Sequence, residues 1–339
     1  FNYFNYNKVK VSICWYKYDS EHIPMNDALN KLGGISCFYQ MNFDGHPYYE
    51  SKLYSDINFC YSKFSSILEK KNHSKINYQI ITGYPGLSIT DEMKKSATKI
   101  RNDILSNGAK KIVCVLDENS LPDDRWHTGH DLQRDNYTKI ISSLLKNNKL
   151  GVIFKPKSPY DLRKRLGDDV NLLNQALSTG RCYIYDKLVD NKSHFSRSTP
   201  IQAALSSDLV VHSHLSAGTA AIECAKIGLP TILLDRENDI HNIFHNVLDN
   251  DFIFHDWESL IERLNKHFFE DNLNKSFGNW NNYINFFDPF NDNLASKRIG
   301  DFLSYLIDGY QKNYGKISII EKAIEKYRSD WGDDKVIES

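Results

Sequence analysis

The stretch 208–237 limits the folds open to this chain more than any other. It reads as a buried apolar run (Leu209-Val-Val-His212), a loop of small residues (Ser216-Ala-Gly-Thr219), a helical span, and a second apolar run opening at Thr231. A strand, a crossover helix and a second strand of these lengths form a βαβ unit, and such a unit needs a parallel sheet. The small-residue loop opens the helix. A helix start presents unpaired backbone N–H groups and the positive end of a dipole, so it suits an anion, a phosphate above all. Glu223 follows Thr219 by four residues on the same helix face, one turn deeper. A phosphate on the loop would bring an attached ribose near that carboxylate.

The rest of the chain repeats the alternation. Strands are predicted at 9–15, 35–40, 57–61 and 78–82, with helices at about 24–32 and 62–70. Gly83-Tyr-Pro-Gly86 punctuates the chain. Beyond it, a polar helix at about 90–106 leads to about five strands between 111 and 254, enough for a complete doubly wound domain. Residues 120–133 read as a polar loop, and helical spacing begins at 137 and again near 200 and 257. The four strands before residue 85 are fewer than such a domain usually has. The expected organisation is a partial Rossmann-like domain over 1–85, a complete one over 86–275, and an aromatic-rich helical segment over 276–339 that packs back across the interface. The chain opens on Phe1 and enters a strand almost at once, which points to sequence removed upstream.

Composition excludes several classes. With 339 residues there is enough chain for two cores. Apolar residues at 41% and charged residues at 25% are ordinary for a soluble globular protein. A net charge of −1 argues against binding nucleic acid by electrostatics. The six cysteines include no Cys-x-x-Cys pair and read as small buried apolar residues in a reducing compartment. No apolar run approaches the ~18 residues of a membrane span, and no secretory signal is visible. The expected location is the cytoplasm, with peripheral association at the inner face of the membrane left open.

In open parallel sheets, ligands bind beyond the carboxyl ends of the strands. That rule selects Asp117, Glu118 and Asn119 after one strand and Lys155 and Lys157 after the next. It selects His212, Ser213 and His214 after the central one, and Asp235, Arg236 and Glu237 after the following one. All would converge on one crevice rim, where two lysines near a helix start supply a diphosphate environment. Each has a plainer reading. Ser216 and Thr219 can be N-caps, Glu223 a solvated helix residue, Lys155 and Lys157 surface charges, His212 a structural histidine, and 117–119 a turn.

Taken together, 208–237 resemble the donor-site signature of GT-B glycosyltransferases, in which a strand runs into a small-residue loop, a helix bearing an acid, and Gly-x-Pro before the next strand. Here these elements are Ser216-Ala-Gly-Thr219, Glu223 and Gly228-Leu-Pro230. The resemblance implies two Rossmann-like doubly wound domains. It gives a phosphate-holding role to Ser216, Gly218 and Thr219 and a ribose-holding role to Glu223. Further segments are similar to the branch that builds bacterial capsule and lipopolysaccharide: Gly83-Tyr-Pro85, Asp117-Glu-Asn119, 151–157, Leu234-Asp-Arg-Glu237, Gly278-Asn-Trp280, Asp288-Pro-Phe290, Arg298-Ile-Gly300 and the closing 327–332. That branch includes transferases of ordinary sugars, of Kdo and of glycerol phosphate.

The resemblance implies a metal-independent transferase with a nucleotide-sugar donor as co-substrate, no further cofactor, and a growing polysaccharide or lipid-linked glycan as acceptor. No Asp-x-Asp metal motif stands at a strand end, and Asp123-Asp124 reads as solvated. Many inverting members carry the catalytic base on an early N-terminal loop. The candidates here are Asp19, Glu21, Asp44 and His46, together with Glu118. Two other reactions suit the same fold, a nucleotide-sugar 2-epimerase or a hydrolase, and a non-catalytic nucleotide-sugar-binding module is a third possibility.

Overall fold

The computed structural model describes residues 1–18, 20–47, 51–122, 129–189, 197–215, 218–249, 251–270 and 276–338. The chain divides into two compact units, Phe1–Leu87 with Ile284–Ser339 and Ser88–Tyr283. In chain order the elements begin with α1 (Asn2–Tyr6), β1 (Val11–Cys14), α2 (His22–Lys31), β2 (Ile35–Tyr39), β3 (Tyr54–Cys60), α3 (Lys63–Lys71) and β4 (Lys75–Ile81). The second unit runs α4 (Asp91–Ser106), β5 (Lys111–Leu116), α5 (His130–Lys146), β6 (Leu150–Lys155), α6 (Leu162–Leu166), α7 (Val170–Ser178), β7 (Cys182–Ile184), α8 (Pro200–Ala204), β8 (Leu209–His212), α9 (Thr219–Lys226), β9 (Thr231–Leu234), β10 (Ile253–Phe254) and α10 (Trp257–Phe269). The chain then returns to the first unit with α11 (Ile284–Phe287), α12 (Ala295–Gln311), α13 (Lys316–Trp331) and β11 (Val336–Glu338).

The first unit holds a five-stranded sheet in the order β1-β2-β3-β4-β11. The first four strands are parallel and β11 pairs antiparallel with β4. Right-handed crossovers that always step the same way leave their helices on one face. There Phe38, Leu53 and Ile76 form a small core, with His22 of α2 edge-on to Phe38. The opposite face, carrying Ile35, Cys37, Ile57, Phe59 and Ile80, is sealed by Phe302 and Leu306 of α12 and by Ile319, Ile320, Ala323, Ile324 and Tyr327 of α13. The C-terminal helices therefore cover a face that the one-way winding cannot reach.

The second unit is a six-stranded, all-parallel sheet in the order β10-β9-β8-β5-β6-β7. The chain steps outward through β5, β6 and β7, crosses back to the other side of β5, and steps outward again through β8, β9 and β10. Its core joins Val113, Val115, Val152, Phe154, Val211 and Ile232 to Tyr137, Ile140 and Leu144 of α5 and to Trp257 and Leu260 of α10. Local chemistry sets several helix starts. The side chains of Thr90, Thr199 and Asp256 accept backbone N–H groups of Met93, Gln202 and Ser259 at 3.2, 3.2 and 2.7 Å.

Among the described residues the strands in this unit number six, against about five in the sequence reading. Helix α5 opens at His130, where a polar loop was expected to run to 133. Helices α6 and α7 and strand β11 had no counterpart in the sequence reading. Asp123, Asp124 and Trp126 lie outside the described residues. Residues 276–283 belong with the second unit, where Thr231 donates its N–H to the Gly278 carbonyl at 2.8 Å and Trp280 Nε1 donates to the Thr231 carbonyl at 2.8 Å. Among the described residues, no helix is long and apolar enough to cross a membrane.

Candidate functional site

The strand order of the second unit makes a topological switch between β5 and β8, and the loops that follow these neighbours must diverge. A crevice opens at such a point beyond the carboxyl ends of the strands. The loop after β5 carries Asp117 and Glu118. The loop after β8 carries Ser213 and His214 and leads to Gly218 and α9. Ser213 still donates its N–H to the Leu116 carbonyl at 2.9 Å, so the two chains part only beyond it.

Glu118 and His214 meet across this switch, with Oε2 and Nε2 3.1 Å apart. The other Glu118 oxygen pairs with the Lys157 ammonium. Burial on its own would raise the Glu118 carboxyl. The His214 hydrogen bond and charge, with Lys157, outweigh it and hold the carboxyl at about 2. An ionised carboxylate can only accept, so His214 Nε2 carries the proton it shares with Glu118. Below it, His212 Nδ1 lies 2.5 Å from the His214 carbonyl and must be the donor, since a carbonyl only accepts. Burial, with the neighbouring His214, pushes the His212 imidazole down to about 4, so the ring is neutral near pH 7.

Asp117 anchors the loop from within. One carboxylate oxygen accepts the Lys157 N–H at 2.7 Å, and the other accepts the Tyr137 hydroxyl at 2.8 Å and the Gln133 amide at 3.1 Å. Burial pushes this carboxyl up to about 6 against those hydrogen bonds. Lys155 is buried beside it and donates to the Pro156 carbonyl at 2.7 Å, and burial lowers its ammonium pKa. Arg165 of α6 ties the two loops together. Its guanidinium donates to Ser120 Oγ at 3.0 Å, Gln133 Oε1 at 2.9 Å, Asp161 Oδ1 at 2.9 Å and the Ser158 carbonyl.

Among the described residues, no side chain caps the start of helix α9. Its N-cap is Gly218, which has no side chain to accept the first-turn amides. The glycine has a steric reason as well, because a Cβ there would stand 2.2 Å from the buried Phe244 ring. Thr219 is the first helical residue, and Glu223 is half-buried one turn on. Ser216 lies outside the described residues.

The remaining predicted residues divide. Arg236 leaves the end of β9 toward α5, donating to Asp135 Oδ2 at 2.5 Å and Asn136 Oδ1 at 3.1 Å. Glu237 is half-buried next to it, and Asp235 faces His245 at 3.0 Å. In the first unit, Asp19 lies outside the described residues, Glu21 is the exposed N-cap position of α2, and His46 is half-buried. Asp44 is buried with Lys17 Nζ at 2.7 Å, and its other oxygen accepts from the Tyr18 hydroxyl and Asn42. A carboxylate held by so many donors is a structural anchor in this geometry. Among the described residues, no group of three or more His, Cys, Asp or Glu side chains is placed to hold a metal ion.

The structure thus joins Glu118, Lys157, His212 and His214 at the switch point and sends Arg236 elsewhere. Sequence reasoning missed Gln133, Tyr137 and Arg165. Gln133 and Tyr137 do sit four apart on one helix face, a signal hidden because the helix start was placed at 137.

No protein-family model matches this sequence, and no curated protein matches it significantly. Solved structures do resemble its fold. S. aureus MnaA in its structure with UDP aligns with a TM-score of 0.59 at 11% identity, covering 91% of this chain and 78% of that one. A proposed UDP-N-acetylglucosamine 2-epimerase of Listeria monocytogenes aligns with a TM-score of 0.55 at 11% identity, covering 88% of this chain and 74% of that one. At such identity the likeness shows the fold alone: α/β, two parallel-sheet units, GT-B type.

Proposed function

We propose that this chain is a nucleotide-sugar enzyme, a metal-independent glycosyltransferase whose second unit binds the donor. The observation that carries the reading is the topological switch point of that unit. There the start of α9 follows β8, with Glu223 one turn in, and Lys157, Glu118 and His214 gather beside the same strand ends. Amides and a lysine suit the diphosphate, and the charge that builds on it as the sugar departs is stabilised by the same groups. Glu223 receives the ribose hydroxyls. The chain uses no further cofactor, and the acceptor is a glycan or lipid-linked glycan of the surface-polysaccharide kind.

A second reading is supported by the two solved structures, one a complex with UDP and the other a proposed 2-epimerase. In that reading the Glu118–His214 pair moves a proton on the donor sugar, and no acceptor is needed. Thermal-shift measurements with UDP-, GDP-, CMP- and CDP-linked sugars test the shared core of both readings through binding linkage. Stabilisation by one nucleotide class is expected, and no stabilisation by any sinks both. Incubating the stabilising donor alone then separates them, since turnover without acceptor belongs to the epimerase or hydrolase.

A further inference from the structure

We infer that Asn242 is a positioning residue for the donor's phosphates: together with Phe244, two residues on, it sets the first turn of α9 from behind. Its role rests on the donor reading above and adds the part of the fold that keeps the anion site in shape. Asn242 and Phe244 lie in the segment after β9, and both are fully buried.

The two side chains grip the two described ends of the loop between β8 and α9, Leu215 and Gly218. Asn242 Nδ2 donates to the Leu215 carbonyl at 3.1 Å. The Phe244 ring fills the space where a side chain on Gly218 would begin. Gly218 in turn accepts the Ile222 N–H at 3.0 Å, the bond that closes the first turn of α9. A carbonyl turned into the protein is also a dipole turned away from an anion.

One amide couples both grips because it has two ends. Oδ1 of Asn242 accepts the Phe244 N–H at 3.1 Å and so starts the 3₁₀ turn, Ile243–Asn246, that carries the ring. Nδ2 reaches Leu215, and also Asp239 Oδ2 at 3.0 Å. The partners fix this assignment, since a backbone N–H only donates and a carbonyl only accepts. A plain turn cap accounts for the Oδ1 bond, but not for a bond to a carbonyl 27 residues away. An aspartate could start the turn and could not hold that carbonyl.

The segment is itself anchored to β9. Asp235, the residue after the strand, accepts the Asp239 N–H at 3.0 Å and faces His245 Nε2 at 3.0 Å. Phe244 is backed by Trp280, edge-on with centroids 5.9 Å apart, and Trp280 is pinned by its bond to the Thr231 carbonyl. A loop held this firmly meets an anion already in the binding shape, and affinity falls when such a supporting layer slackens.

The test uses the full chain. Calorimetry with UDP, GDP, CDP and CMP finds the nucleotide that the wild type binds best. That nucleotide and its nucleoside are then titrated into Asn242→Ala, Asn242→Asp and Phe244→Leu. Each variant is expected to lose about tenfold or more in affinity for the nucleotide and to stay within about threefold for the nucleoside. Hydrogen exchange of the unliganded proteins adds a readout that needs no nucleotide. In Asn242→Ala the Ile222 amide should speed up more than the Val210 amide, which is bonded to the Pro230 carbonyl beside the sheet.

A wild type that binds none of the four nucleotides removes the donor reading, and the positioning role with it. A wild type that binds, beside a variant that is folded by circular dichroism and binds equally well, removes Asn242 alone. So does an equal loss for nucleotide and nucleoside, or equal acceleration at Ile222 and Val210, since either marks a general loss of stability. Should Asn242→Ala not fold, Asn242→Asp, which keeps the acceptor and loses the donor, and Phe244→Leu decide by the same criteria.

Discussion

Glu118 and His214 share a hydrogen bond of 3.1 Å although they lie 96 residues apart, and it bridges the loops that leave adjacent strands β5 and β8. The pair closes the switch point of the second unit from both sides. Its strength sets the first prediction. With the carboxyl held at about 2, its contribution is present in full above the ordinary glutamate value and is lost as pH falls from about 4.5 to about 2. Glu118→Gln should cost on the order of 2–3 kcal/mol near pH 6. Urea unfolding of both proteins checks this, and a gap that stays constant down to pH 3 would show that the ion pair adds nothing.

His212 acts in a neighbouring window. A histidine held neutral in the fold gives stability that is full above about pH 6.5 and lost as pH falls toward about 4, up to about 3 kcal/mol. Asp117, pushed up to about 6, has the opposite sign and loses stability as pH rises from about 4 to about 6. The wild-type profile should therefore be shallow between these values. The stability difference between wild type and His212→Gln should still shrink as the medium is acidified, and guanidinium unfolding at several pH values measures it. A difference that grows on acidification contradicts the buried neutral ring.

Arg165→Met should destabilise the second unit by on the order of 3 kcal/mol, because it removes the guanidinium from Gln133, Ser120, the Ser158 carbonyl and the Asp161 carboxylate at once. Arg165→Lys should recover little, since an ammonium cannot reproduce the guanidinium fork. Chemical denaturation gives the comparison, and full recovery by lysine would show that charge alone matters there.

Gly218→Ala places a methyl group 2.2 Å from the Phe244 ring and should cost about 1–3 kcal/mol. Combining it with Phe244→Leu tests the steric cause. The double variant should cost less than the sum of the single ones, and strict additivity would put the strain elsewhere.

Glu223→Ala should weaken UDP and uridine alike, by roughly 1.5–3 kcal/mol for a charged hydrogen bond. Lys157→Ala should weaken UDP and leave uridine unchanged. Calorimetric titration of the four pairs decides the matter, and a uridine affinity that survives Glu223→Ala would remove the ribose role.

Much of the second unit was legible because its signals are local. Strands β5 and β9 and helix α10 begin where their patterns predict, at Lys111, Thr231 and Trp257, since an unbroken apolar run marks a strand buried on both faces and Asp256 caps α10 with its own side chain. The start of α5 was not legible, because His130-Asp-Leu-Gln-Arg134 looks polar until Gln133 is seen turned inward to Asp117 and Ser120. Arg165 was hidden for the same reason. Nothing in Leu162-Arg-Lys-Arg-Leu166 distinguishes the buried arginine from its exposed neighbours.

Alone, the order of residues determined that strands alternate with helices, which runs are buried, and where an amide-rich helix start follows a small-residue loop, since each depends on neighbours within a few turns of chain. Only the tertiary structure decided that β8 lies beside β5, that Glu118 therefore faces His214, and that Arg236 turns to α5. Those outcomes rest on side chains that meet across roughly a hundred residues of sequence, and no local pattern encodes which strand will be whose neighbour.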